Sequence, residues 1–352
     1  MLPLGAQADE HEKEMVICEA DGSEVEAAEM CPPTLGERVI TLEQRNQDVV
    51  LYGKIHNRIA FDDPANPASD STTDVESSGS RIGIRAQSAL GNGLTAHGHY
   101  EFNIVTDTGT DNTFTRQGYV GLSGGFGKVT VGQQSTAFYN MTGGTMDPTN
   151  FVGPVGGSGE ARSANTIKYS NAIGPLALEV DLRTNDQDSK VGGWKGDGAG
   201  AGVKIAVTDG VTLGAAFNVE DQTDNMNEDA DGVKALGDES TYSGVSAKVA
   251  FGNLWGSVGW TNEEVETAAG AAKSDTDYIA AYFGASFNES TSGFIGYSNS
   301  DDGTKEPSKI MVNVVHNLGG GLSVSYEGAS EDTDTAGEDN HIEHVFGIEY
   351  NF

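Results

Sequence analysis

From residue 49 onward the chain is built of short segments in which apolar and polar residues alternate, and this pattern excludes most folds. Segments such as VVLYGKIHNRIAF, SRIGIRAQSAL and KIMVNVVH alternate with a period of two, which is typical of strands with one apolar face. Sixteen such segments can be counted, and no segment of comparable length has the helical period of about 3.6 residues. The sequence therefore predicts an all-β fold with an even number of strands.

The connections between these segments are alternately short and long. Gly91-Asn92-Gly93 and Gly252-Asn253 are examples of the short, glycine-rich turns. The long connections are predicted at 62–79, 106–111, 135–163, 185–196, 220–239, 262–274, 300–306 and 330–340. Most long connections are rich in Asp and Glu, whereas the short turns are nearly uncharged. This division is typical of a transmembrane antiparallel β-barrel with short periplasmic turns and long extracellular loops.

The last segment, HVFGIEYNF, indicates how such a barrel would meet its surroundings. One face of this strand carries its large apolar side chains, namely Phe346, Ile348, Tyr350 and Phe352. Membrane lipid would cover that face, and the opposite face would line a water-filled lumen. Pairing with the strand near residues 49–61 would close the sheet and leave no free edge.

Composition excludes other classes of protein. The chain has 53 acidic residues against 20 Lys and Arg, a formal charge of −33, which argues against nucleic acid as a partner. No apolar stretch approaches the ~18 residues of a transmembrane helix, so the pattern excludes a helical membrane protein. No Cys or Cys/His spacing of a metal site is present, and we predict no cofactor.

The segment before the strands is a separate piece. Residues 1–8, MLPLGAQA, resemble the end of a secretory signal peptide, and residues 9–46 are predicted to be an acidic periplasmic extension of a barrel over 47–352. Within it, MVICEADGSEVEA predicts a small hairpin. Cys18 and Cys31 would form a small-loop disulfide in an oxidising compartment.

Several short segments carry a resemblance to a known family. They are LYGK at 51–54, SRIGI at 80–84, GKVTVGQQ at 127–134, FVGPVGG at 151–157 and the terminal Phe352. In this order they resemble the general diffusion porins of Gram-negative outer membranes. The resemblance implies a sixteen-stranded barrel that assembles as a homotrimer in the cell outer membrane, surrounded by lipid and lipopolysaccharide. It also implies passive diffusion of ions and small hydrophilic solutes through a pore narrowed by the third long loop.

Strand parity places basic residues inward in the first five strands. They are Lys54, Arg58, Arg81, Arg85, Arg116 and Lys128. In so acidic a chain, they predict a concentrated basic wall. The resemblance places loop 135–163 opposite this wall, with Asp147 and Glu160 as its acidic side. Facing charges of opposite sign would produce a transverse field that orients dipolar solutes, while the acidic mouth would favour cations weakly.

Two other functions stay open from the sequence. A substrate-selective channel would need aromatic residues along the lumen, and most aromatic residues fall on the lipid-facing parity. A barrel enzyme would need a nucleophile motif such as GxSxG, which is absent, so we predict that the protein is not an enzyme.

One long connection also carries an incomplete calcium pattern. Its residues are Asn227, Asp229, Asp231 and Asp238. The spacing matches part of an EF-hand loop, but the first ligand is Asn, the last is Asp rather than Glu, and no flanking helices are predicted. Loose bridging of divalent ions by the acidic loops is the alternative.

Overall fold

The computed structural model divides the chain into two units, Met1–Asp48 and Val49–Phe352. The structure describes residues 15–17, 24–26, 47–107, 113–184, 196–221, 239–266 and 273–352. Three predictions lie outside these residues and stay predictions: the signal-peptide remnant at 1–8, the Cys18–Cys31 disulfide, and the calcium pattern. In the first unit, Met15–Ile17 pairs antiparallel with Glu24–Glu26, as predicted for the hairpin.

The second unit is a closed antiparallel barrel of sixteen strands, which confirms the predicted fold class. In chain order they are β1 (Gln47–Asp63), β2 (Thr72–Ser77 and Arg81–Gly91), β3 (Leu94–Asn103), β4 (Phe114–Gly124), β5 (Gly127–Ser135), β6 (Arg162–Ile173), β7 (Leu176–Thr184), β8 (Gly196–Thr208), β9 (Val211–Asp221), β10 (Glu239–Phe251), β11 (Leu254–Glu266), β12 (Lys273–Ser286), β13 (Thr291–Asp301), β14 (Ser308–Gly319), β15 (Leu322–Asp332) and β16 (His341–Asn351). No helix among the described residues is long and apolar enough to cross a membrane.

The last strand closes the barrel on the first, as predicted. β16 pairs with β1 from Ile342 opposite Asp63 to Asn351 opposite Lys54. The predicted apolar face of this strand points outward, since Phe346, Ile348, Tyr350 and Phe352 are all about half exposed. Val345, on the other face, is 1 % exposed inside the barrel. The alternation of the terminal segment therefore separates a lipid face from a lumen face.

The connections differ at the two rims. The turn at 92–93 has positive φ at both positions, 51° for Asn92 and 75° for Gly93, as a type I′ hairpin requires. The long loops lie at the opposite rim. The first of them is shorter than predicted, because Thr72–Ser77 forms a strand that pairs with β1.

The second strand is interrupted between its two segments. Gly79 has a positive φ of 64°, and Ser80 is fully buried beside it. The Ser80 hydroxyl accepts a hydrogen bond from the His56 backbone N–H at 2.9 Å and donates to the His56 carbonyl at 3.1 Å. A side chain thus replaces backbone pairing at the interruption, and β1 keeps its hydrogen bonds there.

Candidate functional site

The connection between β5 and β6 folds into the barrel. This inward loop, residues 136–161, contains a π-helical turn, Tyr139–Gly143, and a single α-helical turn, Gly144–Met146. Its large apolar side chains, Phe138, Met141, Met146 and Val152, are each at most 6 % exposed. Burying such a side chain contributes about 1.5–3 kcal/mol. The loop therefore builds two small hydrophobic clusters against the inner wall of the barrel, with Phe138 and Met141 in one and Met146 and Val152 in the other.

Glycines in the wall let the loop approach the strands. A Cβ at Gly214 of β9 would lie 2.2 Å from the carbonyl oxygen of Met141, and a Cβ at Gly259 of β11 would lie 2.1 Å from Met146 Sδ. Neither separation is compatible with a real side chain. The glycines of the wall strands therefore determine the course of the loop together with the residues of the loop itself.

A buried carboxylate anchors the middle of the loop. Glu327 of β15 is fully buried and accepts hydrogen bonds from the backbone N–H groups of Asn150 at 2.9 Å, Phe151 at 2.8 Å and Val152 at 3.2 Å. The Asn313 side-chain amide donates a fourth bond at 2.8 Å. These donors satisfy a buried charge without a cation. Glu327 is not among the residues predicted from the sequence, although its inward parity in an otherwise small and polar stretch is a usable signal.

Two residues of the predicted basic wall are paired with lumen carboxylates near the seam of the barrel, which is the junction where β16 pairs with β1. Lys54 Nζ lies 2.6 Å from a Glu349 carboxylate oxygen. Arg58 Nε donates to Glu76 at 2.7 Å, and its guanidinium lies 5.4 Å from the centre of the Phe151 ring. The positive charge of both residues is therefore largely neutralised locally.

Two other residues of the predicted basic wall, Arg81 and Arg116, contact the same carboxylate. Glu101 of β3, 6 % exposed, accepts a hydrogen bond from Arg116 Nε at 2.9 Å and lies 3.7 Å from Arg81 Nε. The Tyr52 hydroxyl donates to it at 2.7 Å. Arg162, which begins β6, lies within the field of Arg116, Arg81 and Glu101. Arg81 and Arg116 thus share one carboxylate, and Arg162 adds a further positive charge to this group. Arg162 is not among the predicted wall residues, because strand parity is undefined where a loop becomes a strand.

The remaining two predicted wall residues contact aromatic rings. The Arg85 guanidinium lies 4.3 Å from the centre of the Tyr52 ring, and Lys128 Nζ lies 5.6 Å from that of Tyr119. Within the described part of the chain, neither cation has an ion-pair partner. Arg85 and Lys128 are therefore the least neutralised cations of the predicted wall.

Further lysines extend the positive lumen beyond the prediction. Lys168 Nζ donates to the Ser135 carbonyl at 2.9 Å and lies 3.5 Å from Glu179. Lys204 Nζ donates to the Asn140 carbonyl at 2.6 Å. Lys168 and Glu179 also line a polar cavity of about 220 Å³ at the foot of the inward loop.

The two predicted loop carboxylates have different surroundings. Asp147 is half-buried and accepts hydrogen bonds from the Thr149 N–H at 3.2 Å and hydroxyl at 2.5 Å; no ion pair reaches it from the described residues. Glu160 instead lies 3.8 Å from Arg183, which also lies 3.2 Å from Glu220. Burial and the neighbouring Glu220 raise the pKa of Glu160 well above its usual range. The structure therefore separates Asp147, which has no ion-pair partner among the described residues, from Glu160, which belongs to a cluster with Arg183 of β7 and Glu220 of β9.

The geometry leaves one side of the lumen open. The inward loop contacts wall strands from β7 round to β16 and reaches β1 through Phe151, whose ring centroid lies 4.6 Å from that of His56. The guanidinium cluster and Arg85 lie on β2, β4 and β6. The positively charged wall thus lies on the side of the lumen that these loop contacts leave open.

A closed barrel with a polar lumen, an apolar outer face and an inward loop defines an outer-membrane barrel of the porin type. A sequence profile described as Gram-negative porin matches residues 25–336. The chain belongs to this family, which confirms the resemblance, and the family places it in the cell outer membrane.

Individual relatives have low sequence identity to this chain. Outer membrane protein S2 of Salmonella typhi is 25 % identical over 236 residues, 58 % of this chain and 59 % of that protein. The chain thus spans about three fifths of the length of this curated relative. Among solved structures, an anion-selective porin from Comamonas acidovorans superposes with a TM-score of 0.75 at 19 % identity, covering 87 % of this chain and 100 % of that one. OmpT of Vibrio cholerae, solved in a trimer form, gives 0.68 at 16 % identity, covering 87 % and 99 %.

Proposed function

We propose that the protein is an outer-membrane channel through which ions and small hydrophilic solutes diffuse passively, past a constriction formed by the inward loop. The observation that carries the proposal is the loop itself, which is fixed inside a closed barrel by Glu327 and a buried apolar core. Membership of the porin family supports a channel rather than an enzyme.

The constriction is proposed to lie between Asp147 on the loop and the positive wall. Arg81 and Arg116 share Glu101, Arg162 adds a further positive charge to this group, and Arg85 adds an unpaired one. Lys54 and Arg58 contribute less, because Glu349 and Glu76 neutralise them. In a narrow lumen with low-dielectric walls, such opposed charges produce a transverse field that favours polar solutes.

Selectivity is proposed to be a balance between two regions. The constriction has a surplus of cations and favours anions locally, whereas the acidic loops at the mouth concentrate cations before entry. The net charge of −33 makes the mouth contribution large at low ionic strength. We expect weak overall selectivity, with a sign set by the salt concentration.

A homotrimer is proposed from the outer face of the seam. Outward residues of β14, β15, β16, β1 and β2 form an apolar groove of about 600 Å³, lined by Val314, Ile59, Phe346 and Ile348 among others. An apolar groove on a curved outer wall suits a protein partner better than a smooth lipid layer. Light scattering of the refolded protein in detergent should give three chains per particle; a monomer would contradict this part of the proposal.

The chain is proposed to enter the barrel from the periplasmic side. β1 begins at the rim that carries the tight turns, which is the periplasmic rim in an outer-membrane barrel. Residues 9–46 would then form an extension there, after removal of a signal segment ending near residue 8. Protection of this segment from protease added to intact cells would support the assignment, and rapid cleavage would contradict it.

The channel proposal is tested by single-channel recording in a planar bilayer under a KCl gradient. Wild type should give stepwise currents, and Asp147→Asn should shift the reversal potential towards anions, since it removes the loop charge from the constriction. Glu160→Gln is the matched control on the same loop, because Glu160 lies against Arg183 rather than the open lumen. A folded, heat-resistant barrel that carries no current would overturn the proposal.

A further inference from the structure

Three side chains with metal-ligand chemistry lie together at the loop end of the seam between β16 and β1. Glu343 is directly opposite Asp62 in the strand register, and His341 lies two residues before Glu343 on the same face. That face is the lumen face, because it is shared with the buried Val345, whereas Phe346 points outward. The pore constriction described above does not use any of the three.

The side chains converge on one point. One ligand atom from each of Asp62, His341 and Glu343 lies within 4.8 Å of the other two, and all three side chains are partly exposed. His341 Nε2 contacts a carboxylate oxygen of Asp62. Within the described part of the chain, Glu343 has no hydrogen-bond or ion-pair partner, so its carboxylate is available for a ligand.

Neighbouring cations do not neutralise this cluster directly. Arg58 and Lys309 both act electrostatically on Glu343. Arg58 is paired with Glu76, however, and Lys309 Nζ lies 2.6 Å from Glu331 and donates to the Val152 carbonyl at 3.2 Å. Their charges are thus committed to other carboxylates, and the two acids of the cluster keep a surplus of negative charge.

We propose that Asp62, His341 and Glu343 form a binding site for a divalent transition-metal cation of the zinc class at the extracellular mouth of the pore. Zinc binds imidazole nitrogen at about 2.0–2.1 Å and carboxylate oxygen at about 2.0–2.2 Å, which places tetrahedral ligand atoms roughly 3.3 Å apart. Small rotations of side chains on rigid, paired strands bring the three atoms to that spacing. The fourth position stays open to water or a passing solute.

The imidazole decides which class of cation fits. Calcium and magnesium prefer shells of oxygen ligands, and calcium needs six to eight of them. Imidazole suits zinc, nickel, copper and related ions. A bound dication would add two positive charges to the wall of the mouth and would therefore lower cation permeability.

Binding is tested by calorimetry on the full-length refolded protein in detergent, with ZnCl₂ as the probe after treatment with a chelator. Wild type should bind one Zn²⁺ per chain at this site. His341→Ala and Glu343→Gln should each weaken binding at least about tenfold, as loss of a ligand costs no less than loss of an outer partner. His344→Ala is the matched control, because His344 lies on the same strand but is exposed on the outer face.

Discrimination between cations completes the test. Excess Mg²⁺ should not displace Zn²⁺ from the wild type, since Mg²⁺ prefers oxygen ligands. Equal Zn²⁺ affinity in wild type and His341→Ala, or equal competition by Mg²⁺, would assign the binding to the acidic loops in general and overturn the proposal. Calorimetry needs no current, so these outcomes are distinguishable from failure of the channel proposal.

In the bilayer, Zn²⁺ on the loop side should lower cation permeability of wild type and His344→Ala but not of His341→Ala.

Discussion

At the scale of single residues, the lumen is organised by carboxylates as much as by cations. Glu101 pairs with the guanidinium group of Arg116, Glu349 with Lys54, and Glu76 with Arg58. Glu327 accepts hydrogen bonds from backbone N–H groups of the inward loop. A buried charge satisfied in this way is costly to lose, because each donor is left without an acceptor. The acidic residues of the lumen therefore determine both the shape and the residual charge of the pore.

Glu327→Gln tests the anchor of the loop. The amide keeps the size of the side chain, but its NH₂ group faces backbone N–H donors and cannot accept from them. We expect the free energy of unfolding to fall by about 1–3 kcal/mol, the cost of unsatisfied buried donors, and the single-channel conductance to rise as the loop loosens. Urea unfolding and bilayer recording measure the two effects.

The control for this change is Glu331→Gln, which alters a partly exposed carboxylate on the same face of the same strand. It should change both quantities much less, since a partly exposed ion pair is worth about 1 kcal/mol or less. Equal conductance in wild type and Glu327→Gln would show that the carboxylate does not set the width of the pore.

Glu101→Gln tests the charge of the guanidinium cluster. Removing this carboxylate leaves Arg81 and Arg116 without their shared counter-ion, and Arg162 adds a further positive charge to the group. We therefore expect a shift of the reversal potential towards anions under a KCl gradient. Asp302→Asn, a change at an exposed loop position, is the comparison and should move the potential less at high salt. An unchanged potential in Glu101→Gln would place the constriction elsewhere.

At the scale of elements, the inward loop and the wall strands are fitted to each other. Met141 lies against Gly202 and Gly214, Thr142 against Gly244, and Phe151 against Gly347. These glycines belong to β8, β9, β10 and β16, far from the loop in sequence. Strand glycines that weaken a sheet locally are thus used to admit a loop inside the barrel.

Gly214→Ala tests this fit. The added Cβ would lie 2.2 Å from the carbonyl oxygen of Met141, so the backbone of the loop must move away from β9. We expect destabilisation by about 1–3 kcal/mol, typical of overpacking, together with altered conductance. Gly98→Ala in β3 is the matched control, because an added Cβ there meets nothing within 4 Å. Equal stability of the two variants in urea would contradict the tight fit.

The sequence predicted the elements better than their contacts. Period-two alternation and glycine-rich turns identified the strands and their two rims, because both are local properties of the chain. The interruption of β2 was missed, since the Ser80 side chain that replaces ladder bonds looks like any strand serine. Inward aromatic residues were underestimated: Trp255, Tyr282 and Phe294 face the lumen but pack on the core beneath the inward loop.

Site residues were harder to predict than strands. Parity gave the face of Lys54, Arg81 and Arg116, but their neutralisation depends on partners up to 295 residues away. The inward course of loop 136–161 followed only from the family resemblance. Glu327 could be placed on the lumen face, yet the loop backbone that it binds lies 175–177 positions away in the chain. Contacts between residues so far apart in the sequence leave no local pattern from which they could be predicted.

At the scale of the whole molecule, negative charge concentrates at one rim while residual positive charge remains at the constriction. Asp301, Glu306, Asp332 and Asp334 line a cavity of about 480 Å³ between two loops at the mouth. The Debye length falls from about 10 Å at 0.1 M salt to about 3 Å at 1 M. Charges at the wide mouth are therefore screened at high salt, whereas charges in the narrow constriction act on solutes in contact with them.

Selectivity should consequently change with ionic strength. We expect the ratio of K⁺ to Cl⁻ permeability, measured from reversal potentials at a fixed concentration ratio, to be highest in dilute KCl and to fall as both solutions are concentrated. Asp332→Asn with Asp334→Asn should lower the ratio in dilute salt and leave it nearly unchanged at 1 M, because mouth charges act only over a long Debye length. Glu101→Gln should lower the ratio at every concentration, since the guanidinium cluster borders the solute path. A ratio that is the same in all three proteins at every salt concentration would mean that neither charged region controls the flux.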